Sequence, residues 1–190
     1  MSTIVMLGGN GYLGRNVTEK WMRKDPNANF VVVSRSGQNK LVSDRIKNVK
    51  ADCSDYDSVM KVMPEKVDYI VDFVGRPEKD PEMFKKLNDD PADVMKRIAE
   101  EKGAKAMGMI GGVLGDQAFV QGKKKIIKKL QTSSVPVAYV EPTLVIGNGR
   151  KDSMTKMVPL LKFFGIFSKK FRPVDVNDVA DELIRKIENA

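Results

Sequence analysis

The sequence predicts a doubly wound α/β domain, a parallel sheet with helices on both faces. Two observations carry this prediction. Buried β-runs alternate with helical patterns along the whole chain, and no shift in composition marks a linker. The chain also opens on a strand, a glycine turn and a helix, at Ile4-Val5-Met6-Leu7-Gly8-Gly9-Asn10-Gly11-Tyr12-Leu13-Gly14-Arg15. A length of 190 residues fits one domain, 1–190, with a core large enough to do without disulfides or metals.

The glycines at 8, 11 and 14 follow G-x-x-G-x-x-G. One permits the tight turn, one lets backbone approach a pyrophosphate, and one lets helix pack closely on strand. The next helix then offers free N–H groups and a positive dipole end to phosphate. Glycines also make ordinary turns. A β-rich run before the motif and a helical pattern after it supply the context that dinucleotide binding demands.

Composition excludes several chemistries. With 42% hydrophobic and 31% charged residues, the chain reads as globular and soluble. No apolar run reaches the ~20 residues of a membrane span. The first strand starts at Ile4, so we expect no targeting segment. Cys53 is the single cysteine, which rules out an intramolecular disulfide and points to a reducing, cytoplasmic setting. Histidine is absent, so Ser-His-Asp, Cys-His and His-metal sites are all excluded. A net charge of +8 suits anionic partners. Aromatic residues are few and no nucleic-acid recognition motif is visible, so a phosphate-rich cofactor accounts for the charge better than nucleic acid does.

Helical spacing over Tyr12 to Lys24 puts Leu13, Val17 and Trp21 on one face, and Asp25-Pro26-Asn27 stops the helix. Phe30 to Val33 is a second strand, closed by Ser34-Arg35-Ser36-Gly37. The end of this strand faces the adenosine ribose in a dinucleotide fold, where an NAD site usually places an acid. No acid lies between Asn29 and Ser43; Arg35, flanked by serines and followed by Lys40, suits a 2′-phosphate instead. NADP is therefore expected over NAD, with a solvated loop arginine as the other reading. Ile46 to Ala51 is a third strand; after it, Asp52 reads as an adenine contact and Asp55 as the cap of a helix over Tyr56 to Met63. Val67 to Gly75 is the fourth strand, with Gly75 lying against the cofactor, and Arg76 to Pro81 is a polar loop. Pro91 to Lys102 is a helix stopped by Gly103. Lys105 to Gly111 is a fifth strand, Lys123 to Leu130 a helix with an Ile126/Ile127/Leu130 stripe and a largely solvated lysine face, and Val135 to Val140 a sixth strand. An apolar, aromatic stretch at Met157 to Phe167 precedes the closing amphipathic helix, Val176 to Ile187.

On these residues the chain resembles the short-chain dehydrogenase/reductase superfamily, in its atypical or extended NAD(P)-binding branch. The matching pieces are Gly8 to Gly14, Ser34-Arg35, Asp52, Asn88 through Gly103, Glu141-Pro142-Thr143-Leu144-Val145-Ile146-Gly147 and Phe171 to Ala180. The resemblance implies a Rossmann-type sheet with a short C-terminal substrate region. It implies cofactor contacts from Gly8, Asn10, Gly11, Tyr12, Leu13 and Gly14 in the turn, and from Ser34, Arg35, Asp52 and Cys53. Val74, Gly75, Gly111, Lys123, Pro142 and Thr143 complete the set. Active members of the superfamily use a Tyr-x-x-x-Lys pair with a serine or threonine. Here Phe119 stands four residues before Lys123, Ile110-Gly111-Gly112 takes the serine position, and Glu141 stands where an arginine is frequent. Lys123 keeps the ribose-binding role; a phenyl ring cannot relay a proton.

Two functions stay open. One is an NADP(H)-dependent oxidoreductase in which the cofactor supplies hydride to a small, flavin-like or quinone-like acceptor and Lys123, water or the substrate handles the proton. The other is a non-catalytic NADP(H)-binding redox sensor or accessory subunit. The stretch 157–167 either covers the site or docks a protein partner or membrane surface.

Overall fold

The structure, a computed structural model, describes residues 1–113, 116–150 and 173–190. Six parallel strands build the main sheet: β1 (Thr3–Leu7), β2 (Asn29–Ser34), β3 (Ile46–Lys50), β4 (Tyr69–Asp72), β5 (Ala106–Ile110) and β6 (Val137–Val140). Their spatial order is β3-β2-β1-β4-β5-β6. The chain therefore winds outward from β1 in one direction, returns, and winds out in the other. Such a reversal leaves a crevice at the carboxyl ends of β1 and β4, where open α/β sheets bind ligands.

The central strands read as apolar runs because both faces of the sheet are covered, whereas β3 at the edge is mostly polar. Val5 and Leu7 of β1 point into one core with Val31 and Val33 of β2, while Ile4 and Met6 point into the other with Phe30 and Val32. Helices α2 (Tyr56–Met60), α4 (Asp90–Lys102) and α5 (Gln117–Leu130) cover the first face; α1 (Tyr12–Lys24) and the closing helix α6 (Val176–Glu188) cover the second. Trp21 of α1 anchors that second core, its ring 6.4 Å from Phe30 and 5.6 Å from Tyr69. Asp55 caps α2 by accepting from the N–H groups of Asp57 and Ser58, as its position suggests.

The structure corrects three expectations. The segment after Gly75 is helical as early as Pro81: α3 (Pro81–Phe84) runs through a π turn at Lys85–Asp89 directly into α4. Helical periodicity in the sequence begins only after Pro91, because a proline inside a helix lacks the N–H that a regular turn needs. The wider π turn just before it accommodates the gap. Second, α5 starts at Gln117 rather than Lys123, capped by Asp116, whose carboxylate accepts from the N–H groups of Ala118 and Phe119. Third, α2 ends at Met60 rather than at Met63. A small parallel pair also joins β7 (Val145–Ile146) to β8 (Val174–Asp175), too short to show a period. The apolar stretch at 157–167 lies outside the described residues.

Candidate functional site

The glycine turn is built as its spacing requires. Gly8 has a φ of +68°, and a Cβ there would stand 2.9 Å from Val74 Cγ2. A Cβ on Gly14 would lie 2.5 Å from the Cα of Gly9, so helix and turn meet backbone to backbone. Gly11 forms the N-cap of α1, and neither a capping side chain nor an acid occupies the helix's first turn. Free N–H groups therefore face the crevice with the positive dipole end behind them, the arrangement a pyrophosphate requires.

Two cavities flank this turn, and Val74 belongs to the walls of both. The first, about 360 Å³, is lined by Gly8, Asn10, Ser34, Arg35, Asp52 and Cys53, together with Ser36, Lys86 and Pro91. Arg35 is exposed at the end of β2. Asp52 is held below the usual carboxylate range, mainly by the N–H of Ser54 and then its hydroxyl, with smaller help from the charges of Lys86 and Arg35. Cys53 is buried and its thiol is pushed up to about 12 by burial, reinforced by the negative charge of Asp72. It is a packing group in this wall rather than a nucleophile.

The second cavity, about 500 Å³, is lined by Leu13, Val74, Gly75, Gly111, Lys123, Pro142 and Thr143, and also by Asp72, Asp116, Phe119 and Arg150. Of the residues expected at the cofactor, only Gly11, Tyr12 and Gly14 line neither cavity. Gly11 and Gly14 act through backbone. Tyr12 turns its hydroxyl away, donating to the carbonyl of Gly147 at 2.8 Å.

Lys123 alone of the lysines at 123–129 is buried, at 4% exposure. Its ammonium donates to the carbonyl of Val74 at 3.4 Å and stands 5.9 Å from the centre of the Phe119 ring. Burial lowers its pKa, opposed by the negative charge of Asp72. Gly75, with φ +144°, leaves the space this lysine uses: a Cβ there would lie 2.6 Å from Lys123 Nζ and 2.6 Å from Asn88 Oδ1. The π turn brings Asn88 inward, where its amide donates to the carbonyls of Arg76 at 3.0 Å and Phe84 at 3.3 Å. Its Oδ1 is buried and has no hydrogen-bond partner. A donor and an acceptor with unmet capacity thus converge beside Gly75, which suits a ligand hydroxyl. The free helix end, the glycine cradle and this orphaned acceptor together fit a dinucleotide.

Sequence reasoning missed three residues here. Asp72 sits in an apolar run, and an acid at the carboxyl end of a buried strand was the signal available. In sequence Asn88 only opens the Asn88 to Gly103 match, with no sign of its side chain's role, and Lys86 lies in a stretch with no visible pattern.

Fold and site together define a nucleotide-binding α/β protein of the Rossmann type. Residues 4–103 match the NAD dependent epimerase/dehydratase family, and the chain belongs to it. No curated protein sequence matches the chain. Among solved structures, the enzyme WbmH of Bordetella bronchiseptica in complex with NAD+ superposes with a TM-score of 0.76 at 13% identity, over 99% of this chain and 72% of that one. A UDP-glucose 4-epimerase gives 0.75 at 13% identity, over 99% and 73% of the two chains. A GalE-like L-threonine dehydrogenase from Cupriavidus necator gives 0.76 at 11% identity, over 96% and 71%. At such identities the likeness is one of fold.

Proposed function

We propose that the protein binds NADP(H) and acts as an oxidoreductase that orients the cofactor's hydride toward a small, flavin-like or quinone-like acceptor. The observation that carries this reading is the pair of cavities over the strand ends, which meet at Val74 on either side of the glycine turn. Such a site takes an extended dinucleotide, with the adenosine end against Ser34, Arg35 and Asp52 and the reactive end against Gly75, Gly111 and Lys123. NAD is the cofactor bound in the neighbour WbmH. The 2′-phosphate is favoured here because Arg35, Ser36 and Lys86 stand together where an acid would otherwise hold a ribose hydroxyl. When bound, the nicotinamide supplies hydride. The chain's own part is to hold the ribose with Lys123 and to narrow access with Phe119 and Leu13.

Phe119 favours a second reading, a non-catalytic NADP(H)-binding sensor or accessory subunit. It lines the reactive cavity with a ring that cannot donate or accept a proton. Sugar epimerisation is disfavoured on the same ground.

Calorimetric titration with NADPH and NADH, followed by cofactor oxidation assays with flavin and quinone acceptors, tests both readings. We expect tighter binding of NADPH and turnover that requires an acceptor. Tight binding without turnover on any acceptor selects the sensor, and no binding of either nucleotide removes both.

A further inference from the structure

We propose that Asp72 is the positioning residue of this site: its buried carboxylate keeps Lys123 charged and aimed at the Val74–Gly75 peptide. Strand alternation puts Asp72 on the same face of the sheet as Ile70, the face that α5 covers. Lys123 descends from α5 onto that face. One residue joins the two: Asp72 Oδ1 accepts from the N–H of Val74 at 2.8 Å, and the carbonyl of Val74 accepts from Lys123 Nζ at 3.4 Å. Asp72 is 1% exposed, and its Oδ2 is buried without a hydrogen-bond partner. No ion pair within 4.0 Å closes the gap between the carboxylate and the ammonium, so they act on each other across the cavity wall.

The contrast with Asp68, just before the opposite end of the same strand, shows that this is not how the fold handles a buried acid. Asp68 is also nearly inaccessible, but it accepts from the N–H of Thr3 at 2.9 Å and is flanked by Lys66 at 3.1 Å and Lys105 at 3.3 Å. Asp68 is a satisfied structural acid. Asp72 retains a buried acceptor that an apolar residue of similar size would not impose, a cost found where a group serves a site rather than the core. The other titratable groups facing it are Lys123 from α5 and Cys53 from the loop after β3, whose raised pKa keeps it neutral. Asp116 and Arg150 stand elsewhere in the same cavity wall. Burial raises the pKa of Asp72 to about 6, opposed by the charge of Lys123. This inference rests on the cofactor reading only for what Lys123 then holds; the coupling of the pair is a property of the free protein.

The test is a pH titration by NMR of protein carrying carbon-13 labels at Lys Cε and Asp Cγ. In wild type we expect Asp72 to titrate well above the other aspartates. Asp72→Asn should lower the Lys123 midpoint by about one pH unit or more, a tenfold change in proton affinity. Lys123→Met should raise the Asp72 midpoint reciprocally. An unchanged Lys123 midpoint in folded Asp72→Asn would overturn the proposal. If Asp72→Asn does not fold, Lys123→Met decides alone, and an unmoved Asp72 midpoint overturns it. A second readout is calorimetry with NADPH near pH 6 in two buffers of different ionisation enthalpy. We expect protons to be exchanged on binding to wild type and fewer on binding to Asp72→Asn; equal exchange counts against the proposal. Failure of NADPH to bind at all would overturn the cofactor reading, while the NMR result would still decide the role of Asp72.

Discussion

Lys123 donates to the carbonyl oxygen of Val74 at 3.4 Å, and Val74 in turn donates its N–H to Asp72. The ammonium is thereby held over Gly75 and beside Asn88, at the point where the two cavities approach each other. A lysine from a helix and an acid from a strand are thus fixed by one residue between them, Val74, and the consequences can be measured.

Gly75 is the narrowest point of this arrangement. Gly75→Ala would force a Cβ to within 2.6 Å of both Lys123 Nζ and Asn88 Oδ1, at a φ of +144° that side chains rarely adopt. We expect a loss of about 1–3 kcal/mol of stability in denaturant unfolding and nucleotide binding weakened beyond that of Lys123→Met.

At the other end of the site, Arg35→Ala should weaken NADPH by about 1–3 kcal/mol, the scale of a lost charged hydrogen bond, and leave NADH nearly unchanged. Lys86→Ala should act in the same direction and less strongly, since Lys86 lines the same cavity. Equal weakening of both cofactors by Arg35→Ala, read by calorimetry, would remove the 2′-phosphate role.

Phe119→Tyr restores a phenol four residues before a lysine. If the protein is a reductase limited by its missing acid, NADPH-dependent reduction of carbonyl compounds should rise about 10²-fold or more, the low end of what a positioned acid contributes. No gain with cofactor affinity intact would mean that the fault lies in substrate binding, or that the protein is a sensor.

Asp72 should leave a mark on stability against pH. Its carboxyl has a pKa of about 6 in the folded chain against an ordinary value of 3.8. The folded state then binds the extra proton, so its contribution is fully present below pH 3.8 and is lost as pH rises through about 6. The loss amounts to about 3 kcal/mol at 1.36 kcal/mol per unit. Asp25, Asp52 and Asp68 are shifted the opposite way, so their stabilisation fades only in more acid solution, below the ordinary 3.8. Urea unfolding from pH 4 to 7 should show the decline in wild type and a flatter line in Asp72→Asn. Parallel lines would place the carboxyl's pKa near its ordinary value.

Much of this molecule is legible without coordinates, and what escapes does so for reasons that differ between elements. Strands β1, β2, β4 and β5 announce themselves because each is a short, largely apolar run, which follows from burial on both sides, while β3 at the sheet edge keeps only Ile46 buried. The glycine turn is legible because backbone approach admits no side chain there. The helical nature of Pro81–Asp89 is hidden, since a π turn follows neither the helical nor the strand period and Pro91 reads as a beginning.

The sequence by itself determined the fold class and the place of the crevice, because these depend on local chain stiffness and on which residues avoid water. It also placed a phenylalanine, Phe119, four residues before Lys123. Only the tertiary structure decided that Asp72 and Lys123 share one cavity wall, that Asn88 meets Lys123 beside Gly75, and that Lys86 joins Arg35. Those residues come from a strand, a π turn, a helix and the loop after β2, far apart in sequence, and no local periodicity encodes their meeting. Their distances are set by how α4 and α5 settle on the sheet, which is a property of packing over the whole core.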